Sequence, residues 1–284
     1  MAKNRQKHTE NIITKSQIDE LLTIVAELET TGQSVLLATL NTELTEVKKR
    51  AALNQITQSV IITDGKVKQW LIPAISGSYI AGVNALDNEV KKFGIKTAIG
   101  NITVETLKGV VEMQPHLAAV NALMSDAYLD FGSGMTGYIK GAEHALNDAL
   151  KRQVQSKLAV GRLKGEGIRE IKKSISQELS DRGFTVLIDR GGNQWSLGQY
   201  SEMLARTHVI KANTEATINR GVELEIDVYE VSSHGATDIL CSSQEGKLYS
   251  FSGNNKKYPA LSGNRPPFHP NCKHTLLPRP DLQS

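Results

Sequence analysis

Apolar residues recur at three- and four-residue intervals through most of positions 1–160, the spacing of one face of an α-helix. Ile18, Leu21, Leu22, Val25 and Leu28 open the pattern, with Ser16 placed as N-cap and Asp19 three residues on. Gly32 predicts a break. Leu36, Leu40, Leu44, Val47 and Ala51 resume the stripe, with Glu43, Glu46, Lys48, Lys49 and Arg50 on the polar side. This reads as one or two long amphipathic helices with a core-facing stripe and a solvated face. Thr63-Asp64-Gly65 predicts a turn. A second helix then runs through Val67, Leu71, Ile75, Tyr79, Val83, Leu86 and Val90, kinked or restarted at Pro73, weakened at Gly77 and Gly82, and ended by Phe93-Gly94. Pro115 opens a third helical pattern. Phe131-Gly-Ser-Gly-Met-Thr-Gly137 reads as a flexible joint, lacking the ending of a phosphate-binding loop. Ile139, Ala142, Leu146, Leu150, Val154 and Leu158 form the next helix.

The period changes in the second part of the chain. Gly161 to Gly167 is a glycine-punctuated joint, and Ile168, Ile171, Ile175 and Leu179 predict a short helix. Phe184 to Asp189 is β-like, and Arg190-Gly-Gly-Asn193 is a turn. Ser196-Leu-Gly-Gln199 fits a capping box, with Trp195 and Tyr200 placed for a hydrophobic staple; the helix it starts should stop near Asn219-Arg-Gly221. Val228 to Ser232 alternates as a strand does, and Lys247 to Ser252 is a second strand. The expected fold is α+β: a region rich in long helices over 1–160, followed by a compact α+β domain over 161–284 with short antiparallel strands, the break falling between about Leu158 and Ile168.

A formal charge of +3 over 284 residues does not by itself indicate a nucleic-acid binder. Lys151, Arg152, Lys157, Arg162, Lys164, Arg169, Lys172 and Lys173 nevertheless make one segment strongly basic. A solvated helix face accounts for it; a phosphate-contacting surface on double-stranded DNA is the functional alternative. The basic, polar N-terminus has no apolar region behind it, and no uninterrupted apolar run approaches the roughly 20 residues of a membrane span, so neither a signal peptide nor a membrane partner is expected.

Both cysteines and three of the seven histidines lie between Val231 and Leu277. Thiolate and imidazole suit zinc, and Cys241, His269, Cys272 and His274 could supply a full tetrahedral set of a structural site. His269 and Cys272 would need a tight turn, which Pro270-Asn271 permits. Against this stand buried apolar cysteines with histidines bonded to loop backbone, and a Cys241–Cys272 disulfide. A Cys272 nucleophile with His269 or His274 as base, or a nuclease centred on His234, Asp238 and His269, can be drawn. No orienting third group, paired-cysteine frame or established nuclease spacing supports either, so no catalytic residue is assigned.

Phe184-x-x-x-Ile-Asp189-Arg-Gly-Gly-Asn-Gln-Trp195-Ser-Leu-x-x-Tyr200-x-x-Met203-x-Ala205-Arg206-Thr207 resembles the core signature of tailed-bacteriophage minor capsid proteins, relatives of the Mu F-type head-morphogenesis proteins. Val231-Ser-Ser-His234-Gly-Ala236, Gln244-x-Gly246-Lys-Leu-Tyr249-Ser and Pro267-x-His269-Pro-Asn-Cys272-x-His274 follow in order. The resemblance covers about the last hundred residues. It departs from many relatives at Thr237-Asp238, where they read Arg-Pro, and at Ser243, where they carry an aromatic.

The resemblance implies a non-enzymatic virion component, made in the bacterial host cytoplasm and placed at the head interior or portal vertex. Its partners would be the portal protein, major capsid or scaffold proteins, and packaged DNA, with the variable N-terminal helices making the protein contacts. Trp195, Tyr200, Arg206 and His234 carry over as domain-defining positions. Some relatives carry a toxin or enzyme domain after this module, and the end at Ser284 sets the expectation of none. The alternative is a zinc-dependent or histidine-based nuclease in the same C-terminal unit.

Overall fold

The structure is a computed structural model. It describes residues 13–40, 42–97, 102–103, 114–160 (154–160 by backbone only), 170, 173, 177, 186–188 and 192–283. Of the described residues 67% are helical, with the long helices first and short antiparallel strands towards the C-terminus, and the expected α+β class is what is found. Two compact units emerge. One gathers the described parts of Met1–Ile18, Trp70–Tyr128 and Met203–Ser284; the other gathers those of Asp19–Gln69 and Leu129–Glu202. The residues at the expected domain break, 161–169, lie outside the described residues, as does most of the short helix expected around Ile168 to Leu179.

Helix α1 spans Lys15–Leu40. Thr14, not Ser16, caps it: the Thr14 hydroxyl accepts from the Gln17 backbone N–H (3.2 Å), and Gln17 Oε1 accepts from the Thr14 N–H (2.9 Å). Gly32 does not break it. Gly32 lies on the buried stripe one turn after Leu28 and one turn before Leu36, where packing outweighs its backbone entropy. Among the described helices, α1 alone is long and apolar enough, by length and composition, to cross a membrane. Its apolarity is concentrated at Leu21, Val25, Leu28, Val35 and Leu36, all buried within the protein, while Asp19, Glu20 and Glu27 are exposed.

Helix α2 runs unbroken over Glu46–Lys91. The turn expected at Thr63-Asp64-Gly65 is absent. The seven-residue step from Val60 to Val67, both buried, keeps the stripe in phase through the tripeptide, and Lys68 closes on Asp64 one turn away (2.6 Å). A glycine costs a helix about 1 kcal/mol, which a retained core face exceeds. Pro73 likewise sits inside the helix without ending it; the Ser76 hydroxyl donates to Ile72 O (2.6 Å) in the same turn. The helix stops where expected, with Gly94 at φ 77° and its N–H donated to Lys91 O.

Helix α3 spans Gln114–Val160, with Pro115 near its start as expected. The predicted joint at Phe131–Gly137 is continuous helix. The glycines there permit close approach. A Cβ on Gly134 would meet the Tyr200 ring at 2.8 Å, and one on Gly137 would collide with the Val186 carbonyl oxygen. Strands β1 (Leu187–Ile188) and β2 (Gln194–Trp195) pair antiparallel beside that contact, Leu187 opposite Trp195.

The Ser196 capping box forms: Gln199 N–H donates to Ser196 Oγ (3.3 Å) and Ser196 N–H to Gln199 Oε1 (3.1 Å), opening α4 over Leu197–Glu223. Ser196→Ala should lower stability by about 1 kcal/mol, read as a shift in the urea midpoint, and Ser196→Asp should restore most of it.

β3 (Val228–Val231) and β4 (Leu248–Ser250) form within the two expected strand segments, Val228–Ser232 and Lys247–Ser252; β5 (Leu276–Pro278) lies outside both. The order is β4-β3-β5, both pairs antiparallel, with Tyr229 opposite Tyr249 on one side and Pro278 on the other. Tyr229, Val231, Tyr249, Leu261 and Leu276 pack with Leu86 and Val90 of α2 and Ile218 of α4 into one core cluster. The loops that leave β3 and lead into β5 carry the cysteines and histidines.

Candidate functional site

After β3, the chain turns through Ser232–Asp238 into α5, the four-residue helix Ile239–Ser242. Asp238 is its N-cap, and its side chain accepts from the Cys241 N–H (2.8 Å), which fixes the backbone that carries Cys241. Downstream, Asn271 takes φ 64° and Cys272 N–H donates to His269 O (3.1 Å), the tight turn expected of Pro270-Asn271. The two loops bring the sulfur and imidazole groups together. Cys241 Sγ lies 3.7 Å from Cys272 Sγ and 3.0 Å from His269 Nε2, and Cys272 Sγ lies 3.5 Å from His274 Nδ1. Both cysteines are free thiols. Cys241, Cys272 and His274 are each 2% exposed; His269 is half-buried.

Two triads of ligating atoms lie within 4.8 Å of one another: Cys241, Cys272 and His274, and Asp238, Cys241 and His269. They share Cys241. The outer nitrogens are engaged as well. His274 Nε2 is 3.0 Å from Glu245 Oε1, and His269 Nδ1 is 2.6 Å from Pro270 O. Glu245 Oε1 also accepts the backbone N–H groups of His234 (2.7 Å) and Ala236 (3.0 Å). Burial works against the Glu245 charge, but those two N–H groups and His274 overcome it and bring its carboxyl down to about 2. Burial, followed by the neighbouring Cys272 and Asp238, pushes the Cys241 thiol up to about 12. The Cys241 N–H, followed by His269, holds Asp238 below the usual carboxylate range.

His234 stands edge-on to the His274 ring (centroids 5.1 Å), and its Nε2 meets Ser232 Oγ (2.8 Å), an oxygen that also accepts Thr275 N–H. Serine 232 thus stitches the loop after β3 to the segment entering β5. A buried Cys272 held between Cys241 and His274 is not presented to a substrate.

A model of the phage minor capsid protein 2 family matches residues 81–279. The chain belongs to that family. No curated protein and no solved structure matches it. Family membership makes it a structural protein of a bacteriophage, a component of the virion that associates with other head proteins. The match reaches well upstream of the last hundred residues that carried the resemblance, starting inside α2. The physical reason is visible in the core, where Leu86 and Val90 of α2 pack directly with the sheet.

In this phage minor capsid protein the structure brings the predicted ligand residues Cys241, Cys272 and His274 into one group and places His269 apart from it, beside Cys241 and Asp238 in the second. Of the domain-defining positions, Trp195 is in β2 and Tyr200 lies against Gly134, while Arg206 is on α4 and His234 beside Ser232. Of the basic residues, Lys151, Arg152 and Lys173 are exposed; the Lys157 side chain and Arg162, Lys164, Arg169 and Lys172 lie outside the described residues.

Two features had no sequence signal. Glu245 sits inside the Gln244-x-Gly246 motif, yet nothing in the spacing marks it as the partner of His274. A chain of polar groups with a buried centre at Tyr79 and His116 and an exposed end at Glu223 joins α2, α3 and α4: Asn219 donates to Tyr79 Oη (2.9 Å), Tyr79 meets His116 Nδ1 (2.9 Å), and His116 Nε2 meets Glu223 (2.8 Å). Glu223 takes Arg220 Nη1 (2.7 Å), and Arg220 grips Asp87 through two nitrogens (2.7 and 3.1 Å).

Proposed function

We propose that this protein is a non-enzymatic component of the phage head that binds the portal and its neighbours at the inner capsid, with the Cys/His-bearing unit as a rigid anchor and the long helices as the contact surface. The family match over 81–279 carries the reading. The exposed apolar residues Val47, Ile61 and Ile62 of α2 support it, since a partner protein would remove them from water. The test is tagged protein expressed during infection, followed by fractionation of purified particles and capture on isolated portal rings. The expected result is co-sedimentation with portal-containing heads and retention on portal. Absence from particles and from portal would overturn the reading.

DNA contact through Lys151, Arg152, Lys157, Arg162, Lys164, Lys172 and Lys173 is the second part of the proposal. Each neutralised phosphate should contribute a slope of about −0.9 to log K against log salt, so binding should weaken steeply and vanish when these residues are changed to glutamine. Salt-independent binding would remove it. A hydrolytic role has one observation in its favour, the closeness of the exposed Asp238 and half-buried His269 to Cys241. A nuclease assay separates the two: cleavage by wild type that is lost in His269→Ala supports the enzyme and overturns the structural reading.

A further inference from the structure

We propose that Cys241, Cys272, His274 and His269 hold one zinc ion in a closed structural site that pins α5 to the segment entering β5. The inference goes beyond the role in the head and stands without it. Three observations carry it.

The first is spacing. With zinc–sulfur bonds of about 2.3 Å and zinc–nitrogen bonds of about 2.0–2.1 Å at tetrahedral angles, two sulfurs sit about 3.8 Å apart and a sulfur and a nitrogen about 3.5 Å apart. The Cys241–Cys272 separation is 3.7 Å and the Cys272–His274 separation 3.5 Å. A disulfide would require about 2.05 Å. The Cys241–His269 contact of 3.0 Å is shorter than the tetrahedral edge, and His269 is grouped with Cys241 and Asp238, not with Cys272 and His274, so its ring shifts to become the fourth ligand.

The second is which nitrogen of each ring is free to ligate. Glu245 and the Pro270 carbonyl are acceptors, so the histidine nitrogens that face them, His274 Nε2 and His269 Nδ1, carry the protons. The lone pairs are left on His274 Nδ1, which faces Cys272 Sγ, and on His269 Nε2, which faces Cys241 Sγ; the Asp238 Oδ1 contact with that nitrogen, at 3.5 Å, is much longer than the 2.6 Å Pro270 bond that holds the proton on Nδ1. Zinc-bound histidines are held in this way, the distal N–H given to a carboxylate or a backbone carbonyl.

The third is enclosure. Both sulfurs and the His274 ring are buried, come from two separate loops and have their ligating atoms within 4.8 Å of one another; with the half-buried His269 ring brought onto the ion from beside Cys241, four protein ligands complete the shell and leave no open position for a reacting water. On binding, the two thiols lose their protons to solvent, and two thiolates neutralise the dication. Asp238 belongs to the second triad, but its carboxylate is exposed and already caps Cys241 N–H, which assigns the fourth position to His269.

The test uses the full chain, expressed with zinc supplied and purified without chelator. Elemental analysis should give one zinc per chain. Both thiols should resist alkylation until a strong chelator is added, and release of zinc should track their modification. Cobalt exchanged into the site should show the intense visible bands of a four-coordinate ion together with thiolate charge transfer. Cysteine variants could fail to fold, so Glu245→Gln serves as the decisive variant: it keeps an acceptor for the two loop N–H groups and should lose about 10- to 100-fold in zinc affinity with an unchanged circular dichroism spectrum. His269→Ala should lose affinity more than Asp238→Asn does. A folded, metal-free chain whose thiols react without chelator, a Cys241–Cys272 disulfide, unchanged affinity in Glu245→Gln, or the opposite order for His269 and Asp238 would each overturn the assignment.

Discussion

Arg220→Ala is expected to destabilise the protein by about 3–5 kcal/mol, the cost of stranding a buried charge. Asp87 is 2% exposed and Arg220 4%, and the guanidinium meets both Asp87 oxygens and one Glu223 oxygen. Burial disfavours the Arg220 charge, yet Asp87 and Glu223 more than offset it, so its pKa lies above that of a free arginine. Alanine would leave the Asp87 carboxylate beside a cavity in place of its guanidinium partner. Arg220→Lys keeps the charge but gives up the planar two-nitrogen grip and should recover only part of the loss. The informative control is the double variant Arg220→Met with Asp87→Leu. Replacing both charges by apolar groups of similar size is often close to neutral, so it should be markedly more stable than Arg220→Ala. Urea denaturation of the three variants measures all of this. A cost below about 1 kcal/mol for Arg220→Ala would mean that the pair is solvated, as surface pairs are.

The second large effect is expected at Gly82, on the seam between α2 and α4. A Cβ there would come within 2.7 Å of the Asn213 carbonyl oxygen and 2.9 Å of the Ala216 Cβ. Neither atom is the far end of a flexible side chain, so the helices themselves must part. Their approach is also tied by Ser78 Oγ, which donates to Val209 O (2.8 Å), and by Asn213 Nδ2, which donates to Ser78 O (3.4 Å). Gly82→Ala should cost about 1–3 kcal/mol, and Gly82→Val more, through overpacking and the loss of those bonds. Gly77 supplies the internal comparison. It lies five residues earlier on the same helix, and a Cβ there meets nothing within 4 Å. Gly77→Ala should therefore stabilise by about 0.5–1 kcal/mol through helix propensity. Opposite signs at the two positions, read from thermal or urea unfolding, test the packing directly; equal signs would refute it.

These glycines also explain where the sequence could be read and where it could not. The apolar stripes, the alternation at Val228–Val231 and the Ser196 box are set by local spacing, and all are present. Gly32, Gly65, Gly134 and Gly137 look alike in the sequence. Whether such a residue breaks a helix or lets another segment approach depends on what lies opposite, and that is non-local: Gly137 faces Val186, and Gly134 faces Tyr200. The polar chain is illegible for the same reason, since Tyr79, Asp87, His116 and Arg220 come from distant positions with no shared motif. The convergence of Cys241 with Cys272 and His274 was legible because rare, chemically distinctive side chains cluster in one stretch; the contribution of Glu245 was not, because a lone glutamate in a loop has no distinctive spacing. β5 carries no local signature because Leu276-Leu-Pro278 is too short to alternate, and its pairing with β3 is made across more than forty residues of intervening chain.

That pairing makes the middle strand the earliest synthesised and its second neighbour the last. During translation β3 can join β4 soon after both leave the ribosome, but its other edge stays bare until Leu276–Pro278 emerges, together with Cys272 and His274 just ahead. A product cut short before this point carries an open strand edge, the kind of surface that recruits other chains into aggregates or is cleared by proteases. The sheet is thus closed on that side only in chains that reach β5, and a shortened product should be lost to proteolysis or aggregation faster than the full chain.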